Sequence, residues 1–428
     1  MKRVLVISYS FPPASNMGSH RILRFVRHLR EFGWEPVVLT AWVNDASQTD
    51  ASLLERMPRD ARIERVSGVD LTGLWRALRG GGPSAGQSPS GRGLALTTFL
   101  NRWVMIPDKF FPWIRPAVRA AETMLRAEKF DAIYSTSDPL SDHLVGLRLA
   151  QRTGVPWVAE FRDLWLGSPY FARAHPTALH RALHALLERR VVAGATALVA
   201  LSRGIGCYFE KTYNRKAQVI YNNFEPEDYP YVAPSAGKFT VLYTGAMYSS
   251  RSPEPFLAGL AEFVRQQQLT PAQVEFVWLG SSHDLDVRGM AERLEVLPFV
   301  RLEGRVAHAE ALRRTQSASV LLTIQSPEDN IHVPGKLFEY IGAGRPILAV
   351  SQPCEVTELV RSHGVGRVAG PSAPEVAAAL NEMWTSWRRG EWRETTRDER
   401  MRFGAAARTR ELAELLEQAS NPVKRATT

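Results

Sequence analysis

The chain has 428 residues, enough for two or three domains of ordinary size, and its 45% hydrophobic content is that of a globular protein with a real core. A net charge of +9 favours anionic partners such as nucleotide sugars, acidic lipids or nucleic acid, but the chain shows neither zinc-finger spacing nor an aromatic RNP pattern, which argues against nucleic acid. The two cysteines, Cys207 and Cys354, give no disulfide framework and no CxxC metal site, and they fit a reducing compartment.

Strand and helix patterns alternate from the start. The apolar run Val4–Ile7 is too short for a signal-peptide core and reads as a first buried strand. A helix is predicted over Ser19–Phe32, with Ile22, Phe25, Val26 and Leu29 on one stripe and Arg21, Arg24, Arg27 and Arg30 beside it. That arginine row fits either a solvated face or a basic helix lying on a membrane. Further strands are expected at Pro36–Thr40, Ala132–Ser135, Trp157–Glu160 and Ala197–Ala200, with helices at Ser141–Arg152 and Ala178–Ala193 between them. The Gly-, Ser- and Pro-rich stretch Arg79–Gly93 reads as a flexible loop. The longest near-continuous apolar run, Val191–Leu201, is too short to span a bilayer.

The alternation restarts in the second half. Strands are expected at Phe239–Tyr243, Val274–Leu279, Val300–Leu302, Val320–Thr323 and Pro346–Val350, with a helix over Pro253–Gln267 and a last one over Asp398–Gln418. Such repetition with short connections implies parallel sheets covered by helices on both faces, whose ligands bind beyond the carboxyl ends of the strands. The expected division is a first domain over 1–225, a second over 226–395, and a C-terminal helix over 396–420.

The most informative segment runs from Val333 to Val350. Pro334 and Gly335 open a short helix, and Gly342 and Gly344 close it. A helix start offers unpaired N–H groups and a positive dipole end, which suits a phosphate. Glu339, at i+3 from Lys336, can face the same ligand. A cation for a diphosphate and a carboxylate for sugar hydroxyls make a sugar-nucleotide site; the same spacing also fits a plain capped amphipathic helix. In the first βα loop, Gly18 admits a close backbone approach and Ser19 is a suitable N-cap. Ser141 is a second expected N-cap. Arg251, after the strand ending at Tyr243 and the turn at Gly245, suits a diphosphate because guanidinium grips phosphate with a planar fork. Arg162 and Asp163 stand at the end of the strand beginning at Trp157, where they serve either a ligand or each other.

These motifs together resemble GT-B glycosyltransferases of the retaining GT4 family: Phe11-Pro-Pro with Gly18, the Trp103-Val-Met-Ile-Pro-Asp108 element with Trp113, the Ser135–His143 stretch, and above all Pro334-Gly-Lys-Leu-Phe-Glu-Tyr340. The resemblance implies an α/β chain in the GT-B fold, with two Rossmann-like doubly wound domains facing an interdomain cleft. It implies transfer of a sugar from a nucleotide sugar, a UDP-sugar by preference, to an acceptor hydroxyl with retention. Donor binding would fall to Gly18, Gly245, Arg251, Val306 in the nucleobase loop, Gly335, Lys336, Leu337 and Glu339. Arg162, Asp163, Arg251 and Lys336 would serve the reaction, and Asp138, His143 and Trp113 would lie on the acceptor side. No metal and no further cofactor is expected. The acceptor would be a sugar, a lipid-linked glycan or a small molecule, in envelope polysaccharide or glycolipid assembly or in secondary metabolism. The enzyme would be cytoplasmic, with the inner face of the membrane as a place of contact.

Two departures from the GT4 pattern stand out. Arg162 replaces the family's histidine, and the first glutamate of the Glu-x7-Glu motif falls at Ile331, with Glu328 out of register. They keep two rivals open: a sugar-nucleotide epimerase using Asp163 and His143, and a non-catalytic scaffold.

Overall fold

Strands made of continuous apolar residues are buried on both faces, and they assemble as parallel sheets under two layers of helices. The computed structural model, which describes residues 1–42, 49–68, 106–168, 171, 177–230, 237–282, 284–326, 331–391 and 395–421, contains two such sheets. The expected loop Arg79–Gly93 and Trp103 lie outside the described residues, as does Glu328. The chain divides into two compact units, Met1–Ile220 with Thr409–Thr428, and Tyr221–Arg408.

In the first unit, β1 (Lys2–Ile7), β2 (Trp34–Ala41), β3 (Arg62–Val66), β4 (Ala132–Ser137), β5 (Trp157–Phe161), β6 (Ala197–Ala200) and β7 (Gln218–Val219) form a parallel sheet in the order β3-β2-β1-β4-β5-β6-β7. The strand order reverses between β1 and β4, where Val4–Ile7 lie opposite Ala132–Ser135. That reversal point is where doubly wound sheets bind ligands. The core on one face joins Val4, Val6, Ile22, Phe25, Val38 and Tyr134 to Leu412 and Leu416 of the C-terminal helix.

The second unit repeats the plan. β8 (Phe239–Thr244), β9 (Val274–Leu279), β10 (Val300–Glu303), β11 (Val320–Ile324), β12 (Ile347–Val350) and β13 (Gly366–Ala369) pair in the order β10-β9-β8-β11-β12-β13, reversing between β8 and β11. Alternate residues feed opposite faces, as the two-residue period of a strand requires. Phe239, Val241 and Tyr243 pack with Phe256, Leu260 and Leu380, whereas Leu242 packs with Leu337 and Ile341.

Several local expectations need correction. The helix at Met17–His28 is capped by Asn16, whose side-chain amide oxygen accepts the Ser19 N–H at 2.9 Å; Ser19 itself is buried inside the first turn. Ser141 is likewise not a cap. Its N–H and its hydroxyl donate to the carboxylate of Asp108 at 2.9 and 2.6 Å, so a distant acid satisfies this helix start. The last helix is two, Arg397–Met401 and Ala405–Ser420, separated where Gly404 bridges to Phe224. The arginine row of the first helix is not a membrane-facing surface: Arg21 and Arg24 are buried, and Arg21 pairs with Glu160 on β5 at 2.8 Å. Among the described residues, no helix is long and apolar enough to cross a membrane.

Candidate nucleotide-sugar site

β8 delivers its carboxyl end to the reversal point of the second sheet. There the chain turns at Gly245, whose φ of 103° lies in a region that costs glycine little and other residues much. The turn is held from both sides. The Gly245 N–H donates to Leu279 O at 2.8 Å, and the Trp278 indole N–H donates to Gly245 O at 2.8 Å. A Cβ on Gly280 would overlap that same carbonyl.

The helix Gly335–Ala343 begins at this point, with Pro334 as a cap that offers no side-chain acceptor to the first N–H groups. Lys336 and Tyr340, one turn apart, both reach the end of β8. The Tyr340 hydroxyl accepts the Thr244 N–H at 2.9 Å, and Lys336 Nζ donates to Thr244 O at 2.7 Å. The ammonium also lies 3.8 Å from the centroid of the Tyr243 ring. A Cβ on Gly245 would come within 3.1 Å of it, so the glycine keeps this flank of Lys336 open.

Burial, and then the positive charge of Arg251, pull the Lys336 pKa down to about 7, against a smaller opposing pull from Glu339. Among the described residues, the like charge of Arg251 thus outweighs the counter-charge of Glu339 at this lysine. Arg251 sits in the turn Ser249–Arg251 that follows β8. Glu339 is half-buried on the same helix. Leu337 is buried, and its N–H donates to Pro334 O at 3.0 Å. A cavity of about 250 Å³ opens at the ends of β9 and β10, lined by Trp278, Gly280, Ser282, Leu285, Arg288 and Gly304. Val306, two residues on, is half-buried and packs on the core beneath. Ile331 is half-buried and brings no acid.

In the first unit the matching reversal point gathers Arg162, Asp138 and Gly18. The Arg162 guanidinium donates to Ser137 O, and to Asp138 O at 2.7 Å. A Cβ on Gly18 would overlap that guanidinium. Asp138 and Asp163 are exposed.

Two expected acceptor-side residues are not on the surface. His143 is fully buried, 2.9 Å from the Ser135 hydroxyl, which also accepts the Trp157 indole N–H at 2.8 Å. Its ring lies 4.5 Å from that of Phe161, and burial followed by the charge of Arg162 brings its pKa down to about 3. Trp113 is also buried, donating to Val66 O at 3.2 Å, with the half-buried Tyr9 ring set edge-on at 5.4 Å.

Residues 18–223 match the family described as a glycosyl transferase 4-like domain. That stretch of the first half is a glycosyl transferase 4-like domain, and the protein is a glycosyltransferase. Its fold agrees over the whole length with solved structures. Sucrose-phosphate synthase from Thermosynechococcus elongatus superposes with a TM-score of 0.64 at 15% identity, covering 98% of this chain and 99% of that one. Anabaena HepE in complex with UDP gives 0.61 at 17% identity, covering 98% and 100%. WaaG, a glycosyltransferase involved in lipopolysaccharide biosynthesis, gives 0.52 at 15%, covering 97% and 98%. At such identities the likeness is one of fold, here GT-B. No curated protein sequence matches the chain.

In this glycosyltransferase, sequence reasoning overlooked Tyr243, Tyr340 and Trp278, which fix the turn and the lysine. The i,i+4 spacing of Lys336 and Tyr340 was the signal that pointed to one of them. Gly18→Ala supplies a test of the first unit. Its clash is with the far end of a flexible side chain, so the melting temperature is expected to stay close to wild type. Arg162 must leave the Ser137 and Asp138 carbonyls, and turnover is expected to fall. A large loss of stability would show that Gly18 is needed for packing instead.

Proposed function

We propose that the protein moves a sugar from a UDP-sugar to an acceptor hydroxyl with retention of configuration, in envelope polysaccharide or glycolipid assembly. The observation that carries the donor assignment is the buried Lys336 ammonium, held at a strand end and helix start beside Arg251, whose like charge outweighs the pull of Glu339. Departure of a nucleoside diphosphate requires stabilisation of developing negative charge more than a strong base. Lys336, Arg251 and the N–H groups at Gly335 supply it, and a bound diphosphate returns the lysine to full charge. Glu339 accepts from ribose hydroxyls. The cavity between Gly280 and Gly304 takes the nucleobase, with Val306 behind it. The choice of uridine is supported by the neighbouring fold of HepE, which has been solved with UDP and with UDP-glucose. In the first unit, Gly18 lets backbone approach a phosphate, and Arg162, Asp163 and Asp138 serve sugar hydroxyls.

The epimerase alternative drew on His143 as an acid/base group. An enclosed imidazole with a pKa of about 3 does not suit that task at neutral pH.

Thermal shift against a panel of nucleotides and nucleotide sugars tests the proposal. Stabilisation by about 2.7 kcal/mol is expected at a hundredfold excess of UDP over its Kd. Arg251→Ala and Glu339→Ala are expected to remove it. No shift with any nucleotide, from folded protein, would overturn the donor site and leave a scaffold.

A further inference from the structure

One helix of the first unit has its polarity reversed. The helices Ile114–Ala127, Ser141–Thr153 and Ala178–Gly194 pack side by side in one layer. In the last of them, the residues turned inward include His180, His184 and Glu188, all buried. These polar groups have partners inside: the Trp165 indole N–H donates to His184 at 2.8 Å, and the Tyr208 and Tyr213 hydroxyls donate to Glu188 at 3.0 and 2.7 Å. The residues turned outward are Leu179, Leu183 and Leu186, with exposures of 67%, 40% and 45%. At about 100° per residue the three leucines fall on one stripe some 60° wide, two turns long. Core packing does not account for leucines outside and histidines inside; a second apolar surface does.

The charges beside the stripe indicate which surface. Arg189 and Arg190 are exposed at its C-terminal end; on the adjoining helix Arg148 is exposed, as is Arg152, which pairs with Glu122 of the next helix in the layer. Partial burial, followed by the like charges of Arg152 and Arg115, lowers the Arg148 pKa. This layer therefore presents leucines beside closely spaced cations.

We propose that this face docks the protein on an anionic lipid surface, the three leucines entering the interface and the arginines meeting headgroup phosphates. A second copy of the chain fits less well. A two-fold contact would set the same arginines against one another, and a stable dimer needs about 800 Å² per partner, far more apolar area than three leucines provide. The inference is independent of the donor assignment, since it uses no residue of the nucleotide site.

Co-sedimentation of the full chain with vesicles tests it. Binding is expected to vesicles of phosphatidylcholine carrying about one-third phosphatidylglycerol, and not to phosphatidylcholine alone. It is expected to weaken at high salt, as headgroup contacts are screened. The triple variant Leu179→Ser, Leu183→Ser, Leu186→Ser, altered only at exposed positions, is expected to lose binding by roughly tenfold or more while keeping its melting temperature and its thermal response to UDP. Arg189→Glu with Arg190→Glu is expected to act the same way. Absence of wild-type binding, or undiminished binding by the leucine variant, would overturn the proposal. So would light scattering that shows a dimer made monomeric by the leucine changes without any vesicle binding, which would assign the face to a second copy.

Discussion

Replacement of Lys336 by alanine is expected to lower turnover by about 10²–10³-fold, the usual cost of removing one preorganised group that stabilises a departing charge. The geometry makes the loss hard to compensate. Arg251 is fixed after another strand, and the Thr244 carbonyl would be left without its charged donor. The same side chain gives the site a proton signature. With a pKa of about 7, Lys336 is mostly neutral in the free protein at pH 8 and charged at pH 6. A bound diphosphate favours the ammonium, so binding is expected to take up most of a proton at pH 8 and little at pH 6, with affinity falling as pH rises above 7. Calorimetry of UDP binding in two buffers of different ionisation enthalpy measures that uptake. Lys336→Ala should abolish it, and a wild-type uptake of zero at pH 8 would refute the placement of this lysine at the diphosphate. In the free protein the depressed value has a second consequence. Between about 7 and the ordinary lysine value of 10.5 the unfolded chain holds a proton that the native one does not. Stability therefore rises with pH over that window.

The fold could be read from the chain because apolar runs buried on two faces leave little choice of architecture. β6 and β9 lie where the runs Ala197–Ala200 and Val274–Leu279 place them. β3 was not legible: Arg62-Ile-Glu-Arg-Val66 is mostly charged, as suits a strand at the edge of a sheet, and shows no apolar run. Lys336 and Arg251, far apart in sequence, could be assigned to one site because an arginine after a strand end and a lysine in a helix start each have a phosphate reading of their own. The direction of a polar side chain carries no such mark. Arg21 in an arginine row reads as a surface group, while His143 in a first helical turn and Trp113 in an aromatic cluster fit a structural place and an acceptor-side place alike. Each is buried because a partner elsewhere in the chain receives it: Glu160, Ser135 and Val66 O respectively. The leucine stripe of Ala178–Gly194 was concealed for the converse reason, since an apolar stripe in a sequence is ordinarily assigned to the core.

Glu160→Ala is expected to destabilise the protein by about 3–5 kcal/mol, because it strands a buried guanidinium. Arg21 and Glu160 are almost wholly enclosed, joined at 2.8 Å, with Thr136 donating to the carboxylate at 2.8 Å and Arg21 donating to Ile220 O at 2.9 Å. Burial alone would raise the Glu160 pKa, but the charge and hydrogen bonds of Arg21 outweigh it and hold the carboxyl below its ordinary value. The stabilisation from this pair is thus present above the ordinary carboxyl range and lost as pH falls through the depressed folded value. Urea denaturation at neutral pH measures the cost. Arg21→Met combined with Glu160→Leu, which leaves no stranded charge, is expected to recover most of it, and a single-variant loss below about 1 kcal/mol would mean the pair behaves as a solvated one. The pair also bears on the reaction. Arg21 lies less than one helical turn beyond Gly18, so the ion pair ties the start of that helix to β5, whose end carries Arg162. Loosening it with Glu160→Gln is expected to lower turnover even at temperatures where the variant remains folded, because both halves of the Gly18–Arg162 contact are anchored through it.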